Sequence, residues 1–404
     1  MSQTPLRPAD SYSPLYFLAS LGAGGLVVTF FMYLMFWVPH KGRPVPVFED
    51  IASAFSSGSA AMQVAIVVAM LGIAAMAFLN IKSLIWNFTA FSAFRKTEGY
   101  RALRDSNGET TLLAAPLASA MTINVGFIIG LVFVPGLWGI VEYLFPMALL
   151  AFLGLGIWAF ALIGDFLGRV LTKGGVFDVT AHNSFAQLLP AFAIAMVGVG
   201  LAAPSAMSGN TVTVGVSLVL STFFGVTAII YTLVAAITGF NSMLHHGTAK
   251  EAGPTLMVVV PIVTVLGILF MRQNHGLHVA FDVHDTPGET LIFLSRLLAI
   301  EVLFLALGLL VLKRQGYWSQ FIGGPKASAG SYALICPGVA FAVMMHFFVN
   351  KGLVGAGVID KFGVAFWVLT AIAIAAQFSM IWLVLRLNRK HFTPRGTPAP
   401  VAAE

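Results

Sequence analysis

Ten apolar stretches, each long enough to cross a lipid bilayer, follow one another along this 404-residue chain. They fall at 14–37, 59–81, 110–136, 138–164, 183–206, 211–239, 254–271, 290–312, 329–349 and 358–386. Crossing the hydrocarbon takes about 17–25 apolar residues. Lipid offers no partner for peptide N–H and C=O groups, so each segment must satisfy its own, as a helix does. The expected fold class is an all-α polytopic membrane protein with ten transmembrane helices. At 58% hydrophobic and 9% charged, the sequence leaves no room for a sizeable soluble domain. The expected organisation is an N-terminal cytoplasmic segment at 1–13, a ten-helix transmembrane domain at 14–390 and a disordered cytoplasmic tail at 391–404.

Charge sets the orientation. Of 22 Lys and Arg, 16 lie in the N-terminus, the even-numbered loops and the C-terminus, and five in the odd-numbered loops or at helix ends facing them. The positive-inside rule then places both termini in the cytoplasm, which an even number of spans requires. The expected location is a bacterial inner (plasma) membrane, crossed many times. The net charge of +6 borders apolar spans and reads as contact with anionic lipid headgroups of the bilayer, with no nucleic-acid partner. The first fourteen residues carry Pro5, Pro8 and Pro14 but no apolar run, so no cleavable signal peptide is expected. Cys336 is the single cysteine, which rules out an intrachain disulfide and any multi-cysteine cluster. No cofactor is expected.

Four segments, the third, fifth, seventh and ninth, carry a proline about seven residues after they begin: Pro116, Pro190, Pro261 and Pro337. The recurrence reads as five tandem helical hairpins. Proline lacks an amide proton and crowds the carbonyl four residues back, so kinks are expected that loosen the carbonyls near Leu112, Ala186, Met257 and Ala333. Such breaks survive in a membrane where protein or a water-filled cavity supplies partners. Odd helices gathered inside around a central axis, with even helices outside, are the expected arrangement. The first segment lacks an internal proline, but Leu21-Gly22-Ala23-Gly24-Gly25 offers comparable backbone freedom and close packing. The second loop is long, from Asn80 past Arg104 to Glu109, and its part from Trp86 to Leu103 is expected to extend the second helix along the interface.

The first, third, fifth and seventh segments, as bounded above, contain no Asp, Glu, Lys, Arg or His, and the ninth has only His346. Their polar content is Ser20, Thr122, Asn124, Ser184, Gln187, Thr264 and Ser331. A proton-coupled carrier ordinarily sets a titratable group at its mid-membrane site, so strict ion coupling is not expected. Arg296 and Glu301 share the eighth segment about 140° apart and should face different neighbours. Glu142 opens the fourth, where the helix dipole favours a carboxylate.

Ten spans, tandem hairpins and kinked odd helices resemble the tellurite-resistance/dicarboxylate transporter family, which includes the slow-type anion channels. The segments that carry this are AAPLASAMTINVGF around Pro116, QLLPAFAIAMVGVG around Pro190, VVVPIVTVLGILF around Pro261 and ALICPGVAFAVMMHFF around Pro337. In that family the odd helices surround a pore, a phenylalanine on the ninth occludes it, and trimers are familiar. The resemblance therefore implies Phe341, four residues after Pro337, as the gate, with Phe192 as a second candidate and a homotrimer as the assembly. The runs YSPLYFLASLGAGGLVVTFFMYLMF and ICPGVAF also resemble the TsoY-type bacterial membrane (seleno)protein family. Some members carry selenocysteine where others have cysteine, and that resemblance implies a redox role for Cys336 with an external thiol partner. On the residues alone, Cys336 reads as a small buried packing group.

The loop after the seventh segment contains His275, His278, Asp282, His284 and Asp285, a spacing that makes only a weak metal-ligand set; no metal site is assigned. Two functions compete. The leading expectation is a channel or facilitative transporter for a small solute, a small anion first, because an anion would meet no fixed negative charge along the odd helices. The alternative is a membrane oxidoreductase using the Cys336 thiol.

Overall fold

A computed structural model describes residues 11–173, 177–178, 180, 184–284 and 286–392. Ten helices among them are long and apolar enough to cross a membrane. They are α1 (Pro14–Trp37), α2 (Ala60–Phe94), α3 (Asn107–Phe133), α4 (Leu137–Lys173), α5 (Ala186–Met207), α6 (Thr211–His246), α7 (Gly253–Phe281), α8 (Pro287–Arg314), α9 (Ala329–Val354) and α10 (Val364–Phe392). The chain is a multi-pass helical membrane protein. Residues 1–10, Asp285 and residues 393–404, which take in most of the expected tail, lie outside the described residues. His391 and Phe392 still belong to α10.

Several helices outrun the apolar stretches that announced them. The second continues unbroken to Phe94, and Glu98–Arg104 forms a further short helix, so the expected extension is present. The seventh does not end at residue 271 but runs to Phe281, where Asp282 turns left-handed at φ 55°. That changes its chemistry, because Arg272, His275 and His278 are helix residues and not loop residues.

The recurring prolines also act differently from the kinks expected of them. Each odd-numbered span opens with a 3₁₀ turn: Pro14–Tyr16, Asn107–Leu113, Ala186–Leu188, Gly253–Met257 and Ala329–Leu334. Pro116, Pro261 and Pro337 are then the third residue of the α-helix that follows, and Pro190 the second. In a first turn the amide has no intrahelical partner to lose, so proline is tolerated without a kink. The Ala186 carbonyl, expected to be loosened, accepts from the Leu189 amide. The first span shares this plan, with Pro14 opening its 3₁₀ turn.

Burial alternates along the chain. In the most apolar stretch of each span, the odd-numbered helices are 61–89% buried and the even-numbered ones 17–33%. The odd helices pack on one another in sequence, α1 on α3, α3 on α5, α5 on α7, α7 on α9, and α9 back on α1. The even helices present apolar rows outward: Val64, Leu71, Phe78 and Ile85 recur every seven residues on α2, each about two-thirds exposed. Close approach of α1 to α9 depends on Gly22 and Gly25, where an added Cβ would come within 2.7 Å of Ile335 and of Val339. Between α1 and α2, Asn80 donates to the Ser20 carbonyl at 2.8 Å while Ser20 Oγ donates back to the Asn80 carbonyl at 2.9 Å.

Candidate functional site: a basic-rimmed cavity

A cavity of about 820 Å³ is lined by residues from all five odd-numbered helices, the loop after α1 and the start of α8. Gly22 and Gly25 of α1, Asn124 of α3, Phe192 and Met196 of α5, Pro261 and Thr264 of α7, and Cys336 and Val339 of α9 belong to its wall. The lining is mostly apolar, with isolated polar groups, the usual make-up of a ligand pocket. Asn124 donates one amide hydrogen to the Ala120 carbonyl at 3.1 Å and turns its amide nitrogen toward Met196 Sδ at 3.9 Å. A smaller cavity of about 340 Å³ shares Met35, His40, Arg43 and Lys351 with the first.

Charge is distributed unevenly around these two spaces. The five cations of the odd-numbered loops and adjoining helix ends are Lys41, Arg43, Arg272, Lys351 and Lys361, and every one of them lines one cavity or both. Arg272 reaches inward from α7 and donates to the Val199 carbonyl of α5 at 2.6 Å. A guanidinium carries five donors, so that bond leaves most of its capacity for a solute. Arg43 is paired with Asp50, whose hydrogen bond holds the guanidinium above its ordinary range. Lys361 is pushed below its usual range by burial and by nearby Lys351. Two ammonium groups repelling one another across a cleft raise its affinity for an anion.

Three carboxylates on this face are engaged in local structure. Glu289, the one acidic residue in either lining, caps α8, accepting from the Thr286 amide at 2.8 Å and its hydroxyl at 2.9 Å. Glu142 accepts from the Ser208 hydroxyl at 2.7 Å and the Gly209 amide at 2.5 Å, tying α4 to the turn before α6. Glu49 accepts from the Gly136 amide at 2.7 Å. The lining of the two cavities is therefore positive by placement, with five cations against one carboxylate.

Among the residues singled out in the sequence, Phe192, Pro261 and Cys336 line the large cavity, and Phe192 is 3% and Cys336 8% exposed. Phe341 stands outside that wall, half-buried and packed against the core. Pro116, Pro190 and Pro337 are buried and outside the lining as well. His278 and His284 meet with their Nδ1 atoms 2.6 Å apart, His284 lies 3.0 Å from Asp282, and both His275 and His278 belong to the cavity wall. Among the described residues no three His, Cys, Asp or Glu side chains come together to hold a metal. Arg296 is exposed and Glu301 fully buried, on different sides of α8.

Arg272 and Lys351 lie one and two residues past the apolar stretches that end at 271 and 349, so in the sequence each reads as a loop residue. The signal was present for the first: Thr264, Ile268, Met271, His275 and His278 recur at helical spacing across its boundary and share the cavity face. Comparison with known families, characterised proteins and solved structures finds no match, and what the cavity does rests on its own chemistry.

Proposed function

We propose that the chain is a channel or facilitative transporter for a small anion, in which α1, α3, α5, α7 and α9 surround a central pathway and the even-numbered helices form the lipid-facing layer. The neighbour-to-neighbour packing of the odd helices and their greater burial support that arrangement. The observation that carries the anion reading is the convergence of all five cations of the odd-loop face on the two cavities, with Arg272 reaching inside. With both termini cytoplasmic, that face is external, and a positive funnel in low-dielectric walls concentrates anions at its mouth. Phe192, buried at the cavity wall, is the aromatic placed to narrow the pathway. A dry apolar constriction blocks ions until the ring moves.

The test is radiolabelled nitrate and chloride uptake by purified protein in liposomes. Arg272→Gln removes a charged hydrogen-bond donor worth about 1.5–3 kcal/mol and should weaken apparent anion affinity about ten- to a hundredfold. Cation uptake in preference to anion uptake would defeat the proposal. Cys336 in the cavity wall favours a second reading, a thiol that exchanges with an external disulfide-bearing partner. Anion uptake that persists in Cys336→Ser leaves that reading unnecessary.

A further inference from the structure

The eighth helix contributes a carboxyl group to the back of the cavity wall, and its hydrogen bonds define its state. Glu301 is completely buried. Its Oε1 lies 2.5 Å from Thr264 Oγ1, and the same hydroxyl lies 3.0 Å from the Val260 carbonyl. Among the described residues Glu301 Oε2 has no partner. Thr264 has one proton to give and two acceptors within reach, so the contacts are both satisfied when Glu301 carries a proton and donates it to Thr264, while Thr264 donates to Val260. An ionised carboxylate here would hold one hydrogen bond and bury its charge in the bilayer interior, which is far costlier than burying the neutral acid. Thr264 itself lines the cavity, so its hydroxyl joins the buried acid to the solute space.

We propose that Glu301 is a proton-holding site linked to occupancy of the cavity, so that an anion moves together with a proton; this rests on the anion-pathway reading. The transfer balances at each atom. The Glu301 O–H bond breaks as its proton passes to Thr264 Oγ1, and the proton that Thr264 had turned toward Val260 is released to a water or to the anion in the cavity. Thr264 ends with one proton, now donated to the Glu301 carboxylate. A carboxylate behind the wall repels an anion in front of it and the neutral acid does not, so anion binding favours protonation and protonation favours anion binding to the same degree. The titratable groups on the spans packed against α8 are Arg272, His275 and His278 on α7 and Tyr332, Cys336, His346 and Lys351 on α9. Glu289, Arg296, Lys313 and Arg314 share its own helix. None of these bonds to Glu301, whose partner is Thr264. The mid-membrane carboxyl group that the odd-numbered segments lack is supplied by an even one.

The experiment uses full-length protein in liposomes with nitrate as probe, comparing native protein with Glu301→Gln, Thr264→Val and Thr264→Ser. Infrared absorption should show the carbonyl stretch of a neutral carboxylic acid near neutral pH in the native protein and lose it in Glu301→Gln. Native nitrate uptake should rise as the source side is acidified, by at most about tenfold per pH unit, the limit for one linked proton. Uptake by Glu301→Gln should no longer follow pH on the acid side, leaving the alkaline fall set by Lys361. Thr264→Ser, which keeps the hydroxyl, should restore the pH response that Thr264→Val loses. Absence of the acid band, a native uptake indifferent to pH, or a Glu301→Gln profile matching the native one would overturn the coupling while the pathway stands. No anion uptake at any pH would overturn the pathway reading and the coupling with it.

Discussion

At the scale of single residues, the cavity separates side chains that the sequence treats alike. Phe192 and Phe341 are both aromatics shortly after a helix proline, yet Phe192 alone belongs to the wall. Phe192→Ala should therefore raise nitrate flux per folded molecule, whereas Phe341→Ala should leave it unchanged. Either truncation of a packed ring costs about 3–5 kcal/mol, so folded protein must be quantified alongside flux. Lys361 supplies a pH signature at the rim. Its ammonium is already disfavoured by burial and by Lys351, so it loses its proton at lower pH than an ordinary lysine, and anion affinity should fall as pH rises through that lowered range. Lys361→Arg, which stays charged, should flatten this alkaline limb of a binding-versus-pH curve.

At the scale of elements, the joints between spans are made by a few buried polar groups. Glu109, in the 3₁₀ turn that opens α3, has a side chain only 3% exposed and pairs with Arg104 at 3.0 Å and with Arg169 of α4. Removing one partner of a buried ion pair costs about 3–5 kcal/mol because the other charges are stranded. Glu109→Gln should accordingly lower the thermal midpoint in detergent by several degrees, with Asp165→Asn, at a more exposed pair with Arg104, having a much smaller effect. The elements themselves were largely legible, since ten apolar stretches and a recurring proline are written in the composition of short windows. What the prolines do was not legible. A 3₁₀ turn and a kinked α-helix can have the same residues, and the choice is made by which neighbour satisfies the carbonyls. The end of α7 was misplaced for a related reason: Arg272 and His275 lower local hydropathy, but they face a cavity and not lipid, so the helix continues. The Thr264–Glu301 pair joins residues 37 apart on different helices, and no local spacing announces it.

At the scale of the molecule, charge is sorted between the two faces. The five cations of the odd-loop face surround the cavities, while its carboxylates cap helices and tie turns. Attraction of this kind is screened beyond about 8 Å at physiological ionic strength. Raising salt with an impermeant electrolyte should therefore slow anion entry in native protein more than in Lys41→Gln/Lys361→Gln, as read from initial uptake rates.

Besides its contacts with α2 and α3, the first helix has partners late in the chain. Tyr16 meets His391 at 3.1 Å, Tyr33 donates to Gln377 at 2.6 Å, and Gly22 and Gly25 are set against Ile335 and Val339. During synthesis α1 enters the bilayer before any of these exists, with the face they later cover turned to lipid or to the insertion machinery. The fold is thus sealed by α1 against α9 and α10, and that closure waits until α10 has been made. A chain halted after α8 should leave α1 open to lipid-soluble cross-linkers at Tyr16 and Tyr33 and mark the protein for degradation, even though eight of its ten helices are in place.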